Sequence, residues 1–257
     1  AKLLNLSIMS DNKLQLDCLE ICTGSVRSAI HAYLGGAQRI EFCANLENGG
    51  TTPSHGQIIQ VLDRTSIEVF VLIRPRPGHF VYNDIELETM IQDIYYCKSL
   101  GIQGIVTGAL NANDTINVKQ CDQLKRAAEP LPIVFHRAID EIKDQLQGID
   151  QLIDLGYTRI LTSGGAQTAF EGRKKIREMV LHGQDKIEIM AGSGINSQNI
   201  IELLRYTGVK QIHTSASEVS AMDSPQSRGL FWDTSMSIKE TSILKVQKLL
   251  NMTDGFK

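Results

Sequence analysis

The chain has 257 residues, 42% hydrophobic and 21% charged, with a formal net charge of −3, values ordinary for a soluble globular domain. It carries no Lys/Arg cluster, which argues against a general nucleic-acid or membrane-surface binder, and no apolar run nears the roughly 20 residues that span a bilayer. Five cysteines, an odd number without framework spacing, fit a reducing compartment better than a secreted disulfide scaffold.

The first 13 residues, AKLLNLSIMSDNK, read as an N-terminal extension. They lack the basic-then-apolar order of a signal peptide, so the expected location is cytoplasmic. Short β-rich runs then alternate with helical patterns. Strands are expected over 14–22, 39–43, 68–74, 104–109, 132–137, 159–163, 187–191 and 211–215, and helices over 25–34, 54–63, 84–100, 118–129, 144–155, 170–182, 197–206 and 238–251. Strands each followed by a helix imply parallel pairing through right-handed crossovers. Eight such units in a length near the ~250 typical of one barrel favour a single (β/α)8 barrel domain over 1–257, with an open doubly wound sheet as the alternative. The stretch 218–240 is long for a barrel connection and carries Met222, Arg228, Phe231, Trp232 and Met236. It reads as a lid, an oligomer contact or a disordered loop.

A weak repeat supports closure. Gly-x-x-x-Ile recurs at Gly36/Ile40, Gly101/Ile105, Gly156/Ile160 and Gly208/Ile212, before strands two, four, six and eight. Glycine can take the left-handed conformation that ends a helix, and the isoleucine would face the helical layer. Strand alternation then turns Cys18, Glu20 and Cys22 inward from strand one, and Arg39, Glu41 and Cys43 from strand two. Arg159, Leu161 and Ser163 follow from strand six, and Gln211, His213 and Ser215 from strand eight, giving an unusually polar interior.

Barrels of this kind build their sites at the C-terminal ends of the strands. There the sequence places Glu20, Arg74 and His136, the candidate catalytic groups: Glu20 or His136 as acid or base near neutral pH, Arg74 clamping an oxyanion. Candidate anion-binding residues are Arg76, Arg137, Ser163, Gly192, Ser193, Gly194, His213 and Ser215. Of these, the Gly192–Gly194 loop is expected to open toward a helix beginning near Asn196. A self-neutralising Glu/Arg network and, for Arg76, a surface loop are the alternatives. Cys22 and Cys43 end neighbouring strands on the inward face, so their thiols suit a soft ion such as Cu(I), with Glu41 beside them as an acceptor; buried packing thiols are the alternative. Cys97 and Cys121 fall on expected helices and Cys18 in the core.

Several segments in order resemble the CutC family: LEIC at 19–22, GGAQRIEFCANLENGGTTPSHG at 35–56, IRPRPGHFVY at 73–82, FHRAID at 135–140, RILTSGG at 159–165 and AGSGI at 191–195. The resemblance implies a (β/α)8 barrel, a cytoplasmic location, assembly into a homo-oligomer (dimer or tetramer) and a part in copper homeostasis. By position, Cys22 and Cys43 look like the family's proposed Cu(I) ligands. The chain departs from the family at His79, where Asp is frequent. Two functions follow: copper(I) handling through Cys22 and Cys43, or an enzyme acting on a small phosphorylated or otherwise anionic metabolite. A catalytically silent scaffold is a third.

Overall fold

A computed structural model describes residues 16–220 and 238–254. The eight strands β1 (Cys18–Thr23), β2 (Arg39–Phe42), β3 (Glu68–Leu72), β4 (Gly104–Thr107), β5 (Ile133–Phe135), β6 (Arg159–Thr162), β7 (Glu188–Gly192) and β8 (Gln211–Thr214) pair in chain order. β1 returns to β8, closing a parallel barrel. The open-sheet alternative is excluded. Around it lie α1 (Val26–Leu34), α2 (His55–Arg64), α3 (Asp84–Ser99), α4 (Val118–Ala128), α5 (Gln145–Asp154), α6 (Arg173–Gly183), α7 (Ile200–Thr207) and α8 (Ile243–Asp254).

The repeat does what its spacing predicts. Gly36, Gly101, Gly156 and Gly208 all have positive φ, between 75° and 91°, reversing the chain between a helix and the next strand. Ile40, Ile105, Ile160 and Ile212 are fully buried in the large core between strands and helices. The opposite face of the same strands forms a second cluster inside the barrel, of Cys22, Cys43, Phe70, Leu72, Val106 and Val134. Helix starts follow local chemistry: Ser54 with Gln57 and Asn83 with Glu86 form capping boxes on α2 and α3.

Four elements start three or more residues later than expected, and β3, β4 and β5 each end two residues early. β1 begins at Cys18, and residues 14–15 of the expected strand lie outside the described residues. α6 and α7 begin three residues later than expected, at Arg173 and Ile200, because turns at 164–172 and 193–199 intervene. The stretch 218–240 is no plain loop at its ends. Ser217–Val219 (β9) and Lys239–Thr241 (β10) pair antiparallel, so the last helix starts at Ile243 instead of 238. Met222, Arg228, Phe231, Trp232 and Met236, like the extension 1–13, lie outside the described residues.

Candidate functional site

The parallel register sets one wall of the mouth. Glu20 on β1 lies opposite Arg39 on β2 and His213 on β8, in one layer. Its Oε2 accepts from Arg39 Nε at 2.5 Å and its Oε1 pairs with His213 Nδ1 at 2.7 Å, with the carboxylate fully buried. Burial alone would raise the Glu20 pKa; the His213 hydrogen bond and the Arg39 charge outweigh it and hold the carboxyl at about 2. Burial likewise works against charge on His213, yet Glu20, with Glu41 nearby, raises its pKa overall. Arg39 is held further by Gln211 Oε1 at 2.7 Å, and the guanidiniums of Arg39 and Arg159 lie 5.0 and 5.3 Å from the Phe70 ring centroid.

One layer nearer the mouth, Cys22 faces Glu41 across the β1–β2 pair, and its thiol donates to Glu41 Oε1 at 3.6 Å. The neighbouring Cys43 thiol, then burial, push the Cys22 pKa well above 9. Burial raises Glu41, whose Oε2 finds no hydrogen-bond partner among the described residues. Cys43 donates to the Thr23 carbonyl at 3.5 Å. A ligand atom from each of Cys22, Glu41 and His213 lies within 4.8 Å of the others, and all three residues are buried.

The opposite wall comes from the ends of β3 and β5. The Nη atoms of Arg74 donate to the carbonyls of Gly50 and Gly78, both at 2.7 Å, and of Asn48 at 3.3 Å. The bidentate fork expected to clamp an oxyanion is therefore already spent on the loops, with the Tyr82 hydroxyl also beside the guanidinium. His136 caps the turn Arg137–Glu141 by accepting from the Ala138 amide at its Nδ1. Burial, then the Arg74 charge, lower its pKa to about 3. A ring so held is neutral near pH 7 and, with Nδ1 accepting, carries its proton on Nε2. Glu20, between Arg39 and His213, is held as an anion.

A cavity of about 950 Å³ joins these walls, lined among others by Cys22, Glu41, Arg74, His136, Arg137, Ser193, Gly194, His213 and Ser215. Glu20 lies beneath it. Three other candidates sit elsewhere. Arg76 pairs with Glu86 at 2.5 Å and donates to the carbonyls of His79 and Val81, stapling its own loop. Ser163 is bound by Asp140 and the Ala166 carbonyl. Gly192 is the last residue of β7, paired with His213 in the ladder, so a side chain there would strike Leu161 at 2.6 Å. Ser193 spends its hydroxyl on the Gln167 carbonyl and Ser215 shares a hydrogen bond with Ser217. The loop does not open directly onto a helix either, since α7 starts only at Ile200.

Sequence reasoning passes over Asp140. Its carboxylate gathers Arg137 Nε, the hydroxyls of Thr162 and Ser163, and the amides of Ser163 and Gly165, tying the β5 and β6 loops together. A lone loop Asp carries no spacing signal. Phe80, which lies against both Arg74 and His136, is missed for the same reason.

Comparison with known proteins gives a consistent picture. Residues 17–218 match the model of the CutC family. A CutC family protein of Histophilus somni is 45% identical over 198 residues, covering 77% of this chain and 82% of its own. The human copper homeostasis protein cutC homolog is 39% identical over 237 residues, 90% of this chain and 87% of its own. The crystal structure of a copper homeostasis protein CutC from Streptococcus agalactiae superposes with a TM-score of 0.73 at 40% identity, covering 77% of this chain and 98% of that one.

Proposed function

The chain belongs to the CutC family, and from that membership and the wall formed by β8, β1 and β2 we propose that it handles copper as Cu(I), held at the barrel mouth by Cys22, Cys43 and His213. The carrying observation is the convergence of Cys22, Glu41 and His213 within 4.8 Å in a buried setting. Thiolate and imidazole are donors a soft ion selects, while a carboxylate alone would suit a hard one. Glu20 supports the imidazole: bound to Nδ1, it leaves Nε2 for the ion, the carboxylate–histidine arrangement common behind metal ligands. Glu41, accepting from the Cys22 thiol, is the nearest acceptor for the proton that thiol must lose on binding.

The test is anaerobic titration with Cu(I) under reducing conditions. One ion per protomer is expected, lost in Cys22→Ser/Cys43→Ser and weakened in His213→Asn. Full stoichiometric binding by the double cysteine variant would overturn the proposal. The buried free thiols fit a reducing compartment, so we place the protein in the cytoplasm, and we read it as a homo-oligomer, dimer or tetramer, to be checked by sedimentation.

A second reading is favoured by the size of the cavity. About 950 Å³ is room for a small molecule, far beyond the needs of one ion. On this reading the barrel is an enzyme acting on a small phosphorylated or otherwise anionic metabolite. Glu41 and His213 take the acid–base work, and the 193–194 and 215 loops face the ligand. Crystals soaked in phosphate test it: phosphate within the cavity supports it, and an ion found only on the outer surface counts against it.

A further inference from the structure

We propose that the cavity docks a small thiol bearing amino-acid groups, the carrier of Cu(I), and that the ion passes from it to Cys22 and then to Cys43. This rests on the copper reading and gives the space beside the ligands an occupant. The two cysteines differ in access. Cys22 and His213 line the cavity, whereas Cys43 is fully buried and outside its lining. The Cys43 thiol donates to the Thr23 carbonyl at 3.5 Å, and the 48–50 loop lies against it, so that a Cβ on Gly50 would stand 3.5 Å from its Sγ. Arg74 holds that loop through the carbonyls of Gly50 at 2.7 Å and Asn48 at 3.3 Å. An ion entering by the cavity meets Cys22 and His213 first, with ligand atoms within 4.8 Å of each other.

One thiolate and one imidazole are a thin donor set for a soft ion, so a sulfur from the cavity side completes it until Cys43 is reached. The cavity, about 950 Å³, has room for a molecule of tripeptide size. Its lining fits the charged ends of an amino acid. Arg137 gives Nε to Asp140 and Nη2 to Ser163 and the Ala166 carbonyl, while Nη1 has no partner among the described residues. Lys239 is a second cation on the lining, and Glu47 an anion. The cations suit carboxylates and Glu47 suits an amine. Transfer is ligand exchange, with no electron moved. From a bis-thiolate carrier complex, one carrier bond to the ion breaks as the bond to Cys22 forms, and the Cys22 proton leaves on the released thiol. The second carrier bond breaks as Cys43 binds, and that thiol leaves with the Cys43 proton.

The test loads the full protein anaerobically with the Cu(I) complex of radiolabelled glutathione and separates the products by rapid gel filtration. Wild type is expected to keep the ion and release the thiol. Cys43→Ala, without the second ligand, should retain one glutathione per Cu(I), and its copper X-ray absorption should show two sulfur neighbours. S-methylglutathione, with the same charges and no thiol, should not be retained. Cys43→Ala that binds Cu(I) with no glutathione overturns the handover, although the copper reading stands. If neither protein binds Cu(I) from any donor, the copper reading falls as well. Docking is read separately, on wild type, from the rate of Cu(I) uptake. The glutathione complex should half-saturate at about tenfold lower concentration than that of glutathione diethyl ester, the worth of a hydrogen bond to a charged acceptor, and Arg137→Gln should shrink the difference. Equal half-saturation by acid and ester overturns the charged-end recognition.

Discussion

Glu20→Gln is the sharpest probe of the barrel interior, because it removes one charge and almost no volume. The wild-type carboxylate is fully buried and touches Arg39 at 2.5 Å and His213 at 2.7 Å, so the amide would leave both cationic partners facing a neutral group. The fall of the Glu20 pKa from 4.5 to about 2 is worth roughly 3 kcal/mol, at about 1.4 kcal/mol per tenfold change in proton affinity. That agrees with the about 3–5 kcal/mol for breaking a buried pair by removing one partner. Because the folded value is depressed, the stabilisation is complete above 4.5 and lost as pH falls through about 2. Urea denaturation should therefore show the variant about 3 kcal/mol less stable at neutral pH. The gap should narrow by about half near pH 3, where the wild-type carboxylate begins to take its proton. A gap under about 1 kcal/mol at neutral pH, with an unchanged denaturant slope, would refute the reasoning: the layer would then neutralise itself without Glu20.

Other outcomes follow from single contacts. The His136 ring, held at about 3, should show no titration in its nitrogen NMR signals between about pH 5 and 8; a midpoint in that window would mean the ring meets solvent. Its linkage has the opposite slope to an ordinary basic pair: the unfolded ring takes a proton near 6.5 and the folded one only near 3, so wild type should lose stability relative to His136→Gln as pH falls across that interval. Gly172→Ala would put a Cβ 1.8 Å from the Ser163 carbonyl oxygen and should cost more than about 3 kcal/mol, whereas Gly56→Ala in α2 meets nothing within 4 Å and should gain about 0.5 kcal/mol, both read from urea midpoints. Arg76→Ala should lower the urea midpoint slightly, through loss of its pairing with Glu86 and its bonds to the His79 and Val81 carbonyls, and leave Cu(I) binding unchanged by titration.

The strand order and the inward set were legible because they depend on local regularities: a glycine that ends a helix, an isoleucine four residues on, and the two-residue alternation of a strand. The same alternation brought Glu20, Cys22, Glu41 and His213 onto one wall. What was not legible depended on partners far off in sequence. Arg74 and Arg76 stand in one Arg-Pro-Arg-Pro motif, and both were expected to meet an anion, with a surface loop the alternative for Arg76; instead Glu86, the capping residue of α3, takes Arg76, and the 48–50 loop takes Arg74. His136 looked like a neutral-range acid or base because nothing local signals its burial beside Arg74 and Phe80. Gly192 read as a loop residue because strand ends carry no sharp mark, and β7 runs one residue further than its apolar run.

The two carboxylates on β1 and β2 bear on which metal the mouth would favour. Glu20 lies level with Arg39 and His213 and is held as an anion; Glu41, one layer up, has Cys22 and Phe70 level with it on the flanking strands, and burial raises its pKa. The same residue type on adjacent strands is thus driven toward opposite protonation states by one step of register. A hard divalent ion would rely chiefly on the Glu41 carboxylate, the group whose ionised form burial disfavours, and would gain little from a thiol. A soft monovalent ion draws on sulfur and imidazole, needs no anionic Glu41, and adds only one positive charge beside a layer already holding Arg39 and His213. If Mg²⁺ displaced Cu(I) in direct competition, Glu41 would have to be ionised when metal is bound, and the ordering of the two carboxylates derived from the register would be wrong.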